Sequence, residues 1–412
     1  MIRSVKNAIL NISTAQLEKF LQLTYVVLLP FYILSFPNKV PDTQIYIDAG
    51  ANVFSGLSPY QTDIRVGSGP IASAVIYLIS SLIPGDYLSV ALRLFSILGF
   101  LFLYCLLAVG GSKLRILAFM PILYLSGPVR EVLVNIQVTG IFALFVSLAI
   151  FVWRKIDFIS NAYGTYVFIF LLVVSFELKP NLGLPIILFF LSKMNSGQMT
   201  RFVVSFCAVE IFAALFYVLV MKENLTSEWI SRLLNFSSVD PAGNDALSIW
   251  VWVPQQAAQV ISYVVFLLLL LLIILAKGNG LHWALLSPLS LVYVHLLDFS
   301  LSIVNFVASI MRKKLDFIEI LLLQFLILPW NVNSLTGLTA LFALNAFLLA
   351  SKSYTNFSSF SLALLAYSIT QYICHEFLAT RVSLSRVSLI EIFLLLLIWG
   401  LRNVRSQEIR KY

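Results

Sequence analysis

Apolar blocks separated by short polar gaps run the length of the chain. They fall near 18–37, 87–109, 114–127, 137–153, 163–177, 182–192, 202–221, 255–276, 281–311, 315–330, 334–351, 356–374 and 387–401. None has the period-2 alternation of a barrel strand, so helices are predicted throughout. Several blocks are shorter than the roughly 20 residues a perpendicular span needs. Such helices require shielding by protein or a water-filled cavity beside them. The 281–311 block is long enough for a bent helix or a tight hairpin. The pattern predicts about 12 to 14 membrane helices. One stretch, "GPIASAVIYLISSLIPGDY" (69–87), is short and bracketed by Gly69-Pro70 and Pro84-Gly85. A helix lying along the membrane interface fits it better than a crossing.

Composition settles the class. The chain is 60% hydrophobic and 11% charged, whereas soluble domains carry about 25% charged residues. This describes an all-α polytopic membrane protein, read as a single integral membrane domain over 1–412. The net charge of +8 is read as cytoplasmic loops rather than a nucleic-acid surface. Cys105, Cys207 and Cys374 lie in or beside apolar segments, with no metal-site or disulfide spacing. The opening "MIRSVKNAILNISTAQLEKF" is polar-amphipathic without a small-residue cleavage site, so the first span is read as retained.

Basic residues recur at Arg3/Lys6, Lys113/Arg115, Arg154/Lys155, Lys193/Arg201, Lys277, Arg312–Lys314, Lys352 and Arg402/Arg405. By the positive-inside rule these gaps, and both termini, are expected to be cytoplasmic. The parity holds if 70–83 does not cross. The opposite side then carries loops 38–86 and 222–254, with 128–136, 178–181, a turn near Asp298, and 375–386. Polar chemistry gathers on that side, so a plasma-membrane protein with an extracytoplasmic site is expected.

The segment "PDTQIYIDAGANVFSGLSPY" (41–60) admits two readings. Asp42 could N-cap a short helix from Thr43 to Phe54, ended by Gly56 and blocked by Pro59. Alternatively Asp42 is a carboxylate at the membrane lip, able to act as a general base on a hydroxyl. Tyr46 would lie one turn on along the same face, with Asp48 offset by about a third of a turn.

The pattern Asp42, Tyr46, Ala49, Gly56, Pro59, Tyr60 resembles the first extracytoplasmic loop of the polyprenol-phosphate-mannose-dependent α-mannosyltransferases, glycosyltransferase family 87. That family belongs to the C-type superfamily of lipid-linked sugar transferases. "NIQVTGIFALFVSLAIFVWRK" (135–155) is similar to its Gln-containing fourth helix. "FELKPNLGLPIILFFL" (176–191) resembles its Lys-Pro helix start, and "LLSPLSLVYVHLL" (285–297) its Ser-Pro region ending in His. The resemblance spans roughly 40–300 in order. It implies a C-type glycosyltransferase fold and the catalytic-base role for Asp42. It further implies a polyprenyl-phosphate sugar donor, most naturally mannose, and transfer with inversion.

Lys179 is either an interfacial anchor or a point charge for the donor's lipid phosphate. Free N–H groups at the helix start after Pro180 also favour an anion. Arg130 with Glu131 forms a solvated local pair, or Arg130 forks onto phosphate while Glu131 orients it. Gln137 could hydrogen-bond a sugar hydroxyl or simply cap. His295 is a bonded core residue or a further phosphate contact, and Glu210 at membrane depth is a structural or protonated group. Arg381 and Arg386 suit lipid headgroups. Trp229, Trp250 and Trp252 suit an interfacial belt or a sugar-stacking platform. The candidates are therefore Asp42 for catalysis and Lys179, Arg130 and His295 for donor phosphate. Tyr46, Asp48, Tyr60, Glu131, Gln137 and Trp250 are the candidates for sugar and acceptor. No acidic or His cluster has metal-ligand spacing, so neither metal nor cofactor is expected. The expected partners are the lipid-linked donor, a lipid or glycan acceptor and membrane lipids. Two other classes fit less well. A polysaccharide polymerase or ligase usually needs Arg and His in its large loop, but 222–254 holds only Arg232 and no His. A secondary transporter or flippase needs polar or broken helices at mid-membrane.

Overall fold

The computed structural model describes residues 41–60, 68–108, 113–155, 162–221, 224–231, 255–275, 280–290, 298–311, 315–331 and 394–402, with 16, 19, 22, 23 and 392 as isolated positions. The described residues form helices and no strand. In chain order these are α1 (Pro41–Phe54), α2 (Pro70–Ser81), α3 (Gly85–Leu107), α4 (Lys113–Leu125), α5 (Gly127–Asn135), α6 (Val138–Lys155) and α7 (Ala162–Leu178). There follow α8 (Pro180–Leu191), α9 (Ser196–Phe216), α10 (Gln255–Leu275), α11 (Gly280–Leu285), α12 (Phe299–Ile310) and α13 (Phe317–Asn331). Three segments are long and apolar enough to cross a membrane: Gly85–Leu107, Val138–Lys155 and Ser196–Leu219. The predicted blocks at 18–37, 334–351 and 356–374 lie outside the described residues, apart from three isolated positions in the first.

The 281–311 block is broken rather than continuous. It gives α11, a 3-10 turn at Ser287–Ser290, and then α12. Asn305 of α12 reaches His282 of α11 at 2.9 Å, so the block folds back on itself. The 69–87 stretch also behaves as its flanks predict. Pro70 starts α2, whose 12 residues extend about 18 Å, less than the hydrocarbon thickness.

Pair contacts give the directions of the helices. Ser147 donates to the Gly99 carbonyl, Phe102 meets Phe151, and Arg154 donates to the Leu106 carbonyl, so α3 and α6 run parallel. Trp153 packs on Phe168 and Phe190, which brings the end of α6, the start of α7 and the end of α8 together. Tyr104 reaches Met311, so α12 ends beside the last turn of α3. Phe202 on Phe168 and Phe206 on Phe176 set α9 parallel to α7. One end of the bundle therefore carries Arg154, Lys155 and Lys193. The opposite end carries the starts of α6, α8 and α12 and the ends of α7 and α9.

The core between α3 and α6 is built on small residues. A Cβ on Gly140 would lie 2.3 Å from Ser96 Cβ, and one on Gly99 would lie 2.4 Å from the Gly140 carbonyl oxygen. The backbones touch there, as helices do where small residues let them approach in lipid. Arg93 is 1% exposed in the same helix. Its Nε donates to the Leu133 carbonyl at 3.1 Å, serving one of the last carbonyls of α5. Arg93→Met is expected to cost about 2 kcal/mol by leaving that carbonyl short of a donor. Thermal unfolding in detergent, compared with wild type, measures it.

α1 lies across the end opposite Arg154. Thr43, in its first turn, donates to the Ile136 carbonyl at the α5–α6 corner. Val53, near its last turn, packs with Tyr217 at the end of α9 and with Leu225. The helix begins at Pro41, so Asp42 belongs to its first turn rather than capping it from outside. Gly56, at φ +73, ends it as the sequence anticipates.

Candidate functional site

The site is assembled from two chain breaks and the start of α12, which meet near the first turn of α1. The first is the α5–α6 corner. Ile136 takes a left-handed conformation, φ 48 and ψ 54, and caps α5. A β-branched residue there is strained, and the fold holds it by burial and by the Thr43 hydrogen bond. The corner presents Gln137 and Thr139 at the head of α6. The second break is Lys179, which stands between α7 and α8 with φ −147. Pro180 forces it, because a residue before proline is pushed out of the helical region. The start of α12 contributes Asp298, which directly precedes the helix.

These three places share one charge pair. Lys179 Nζ lies 2.5 Å from Asp298 Oδ1, and Thr139 Oγ1 donates weakly to the same oxygen at 3.5 Å. The side chains are unequal in access: Lys179 is 12% exposed and Asp298 only 2%. Lys179 is thus the more accessible member of the pair. In the sequence Lys179 stands beside Glu177, but the fold separates their work. Glu177 is buried and accepts from the Ala72 N–H at 2.8 Å, while its carbonyl accepts from Gly69. That carboxylate caps the start of α2 and pins it to the end of α7.

On α5, Arg130 is half-buried and Glu131 accepts from Asn135 at 3.3 Å. Burial raises the Glu131 carboxyl above its ordinary value, while the Arg130 charge and the Asn135 amide hold it back. Gln137 is half-buried, and its N–H closes on the Val132 carbonyl, so it ends α5 as well as introducing α6.

Three candidates take other positions. Tyr60 is 1% exposed, donates to the Ser68 carbonyl and packs with Ala49 and Trp229, so it is scaffold rather than a sugar contact. Asp48 is exposed and accepts from Gln44 one turn back, on the outer face of α1. Trp229 is neither belt nor platform: it is buried against Phe176, Ala49 and Tyr60. Ser58 donating to Glu228 at 2.7 Å holds the 224–231 segment in place. Tyr46 is half-buried against the core, on the bundle side of α1. The side chain of Asp42, together with His295, Trp250, Arg381 and Arg386, lies outside the described residues.

Sequence reasoning misses Asp298 as a site charge and Arg93 as a core charge. Each is a lone charge in an apolar run, which is the signal that finds such residues. Among the described residues no group of three or more His, Cys, Asp or Glu could hold a metal ion.

A cavity of about 820 Å³ lies at the far end of α1, between it and α2, α7 and α9. Its walls are apolar, with Val53, Phe54, Ile71, Tyr166 and Phe212 among them, and Tyr217 at its edge. Only 11% of the α9 span is buried. Glu210 lies on that helix, and its Oε1 has no hydrogen-bond partner among the described residues. No protein-family model, curated protein or solved structure matches the chain.

Proposed function

We propose that this protein is a membrane glycosyltransferase that moves a sugar, mannose first among candidates, from a polyprenyl-phosphate donor to an acceptor hydroxyl. The observation that carries the reading is the meeting of α1's first turn, the α5–α6 corner and the Lys179–Asp298 pair at one end of the bundle. That brings the position of the loop carboxylate, Asp42, into one neighbourhood with a partly exposed cation. The family resemblance assigns the same two kinds of group to base and phosphate. Arg154 and Lys155 stand at the opposite end of α6, about 27 Å away. Under the positive-inside rule the site end is then extracytoplasmic.

In the proposed reaction the acceptor oxygen forms a bond to the anomeric carbon as the bond from that carbon to the phosphate oxygen breaks. The Asp42 carboxylate takes the acceptor proton. The leaving phosphate keeps the bonding electron pair, and Lys179 meets its growing charge. The apolar cavity beside α9 offers a lateral place for a long hydrocarbon chain, since α9 is largely unburied.

The test is a transfer assay in membranes with a panel of polyprenyl-phosphate sugars. One or more donors should support transfer in wild type. Lys179→Met should raise the donor KM about tenfold or more, by removing one charge-assisted contact. Unchanged donor dependence would remove Lys179 from the phosphate site, and no transfer from any donor, with measurable solute flux, would favour a transporter.

A further inference from the structure

Lys179 is already engaged before any phosphate arrives. Its ammonium sits on Asp298, and that carboxylate is nearly inaccessible while the lysine is not. An ammonium has three donors, so it can keep Asp298 and still donate to a second anion. A phosphate bound there shares its cation with a fixed negative charge. Like charges close to one cation repel, and the effect is strong where water is scarce.

We propose that Asp298 is a positioning residue that limits how tightly Lys179 holds the lipid phosphate, so that the spent polyprenyl phosphate is released. The proposal rests on the transferase reading above and concerns the same site. Two opposed effects decide the sign. Asp298 orients the lysine, which aids binding by restraining a flexible side chain. It also repels the incoming phosphate, which opposes binding. Where water is scarce, the repulsion between two anions on one cation outweighs the gain from orientation, and the weakest binding falls on the most highly charged species. That species is the free phosphate monoester left after transfer, which carries more charge than the sugar phosphodiester.

The experiment uses the full chain in lipid nanodiscs, with polyprenyl phosphate as the probe and single-turnover and steady-state transfer as the kinetic readouts. Asp298→Asn is expected to bind polyprenyl phosphate about tenfold more tightly. It should also lower kcat and produce a first-turnover burst, because release becomes rate-limiting. The gain in binding should vanish in the double variant Lys179→Met/Asp298→Asn. A merely structural Asp298 would not tighten binding. Unchanged or weaker binding in a folded Asp298→Asn protein overturns the proposal. If Lys179→Met weakens binding and Asp298→Asn does not strengthen it, the release role alone falls. If Lys179→Met leaves binding unchanged, the phosphate assignment of the lysine falls as well. Asp298→Ser serves as a second neutral variant. Failure of both neutral variants to insert, with Asp298→Glu folded, assigns the carboxylate to folding and also overturns the proposal.

Discussion

Asp42→Asn protein, inserted and folded as wild type, is expected to transfer sugar at least a hundredfold more slowly. The amide has the shape of the carboxylate but cannot accept a proton from an incoming hydroxyl, and a positioned general base is worth about 10²–10⁴ in rate. The donor KM should change little, because Asp42 acts on the acceptor. The competing role is local. Asp42 stands in the first turn of α1, where a carboxylate favours the helix by about 0.3–1 kcal/mol through the backbone dipole. That role alone predicts a small fall in stability and no loss of turnover. Measuring turnover and thermal stability on the same preparation separates the two. Full activity in Asp42→Asn returns the residue to the helix start and removes the base from the proposed reaction.

Gly140→Leu is expected to prevent accumulation of folded protein. At this point α3 and α6 touch backbone to backbone, and a single methyl on Gly140 already collides with Ser96. A leucine must push the helices apart. This breaks the Ser147 bond to the Gly99 carbonyl and opens the aromatic contact between Phe102 and Phe151. Losses of this kind exceed about 3 kcal/mol, since both overpacking and broken contacts contribute. Gly140 is also the next residue after Thr139, so the displacement reaches the Asp298 pair directly. Gly140→Ala should show the milder form: a folded protein with a lowered Tm and weakened donor binding. Size-exclusion profiles and thermal melts in detergent measure both. A leucine variant with wild-type stability would contradict the close approach of these helices.

The helices were largely legible in the sequence. Blocks near 87–109, 114–127, 137–153, 163–177, 182–192, 202–221, 255–276 and 315–330 each correspond to a helix. Apolar length and Gly or Pro punctuation are local properties, and a helix satisfies its own backbone. The breaks were legible for the same reason: Pro180 marks Lys179, and Gly56 ends α1. The roles of individual polar residues were less so. Tyr60 matched a motif position, yet it is buried, bonded to the Ser68 carbonyl and packed with Ala49 and Trp229. Glu177 and Lys179 are two residues apart, yet one serves α2 and the other α12. Trp229 reads as a surface aromatic and is instead packed under α1.

By itself, then, the sequence determined a helical chain with segments long and apolar enough to cross a membrane, roughly where the described helices begin and end, and which polar residues stand at those ends. Only the tertiary structure decided that α1 lies across one end of the bundle, that Asp298 is the partner of Lys179, and that small residues set α3 against α6. The physical reason is range. Hydrophobic length and backbone geometry act over a few residues, whereas the Lys179–Asp298 pair spans 119 positions and exists only once four helix ends have been brought together.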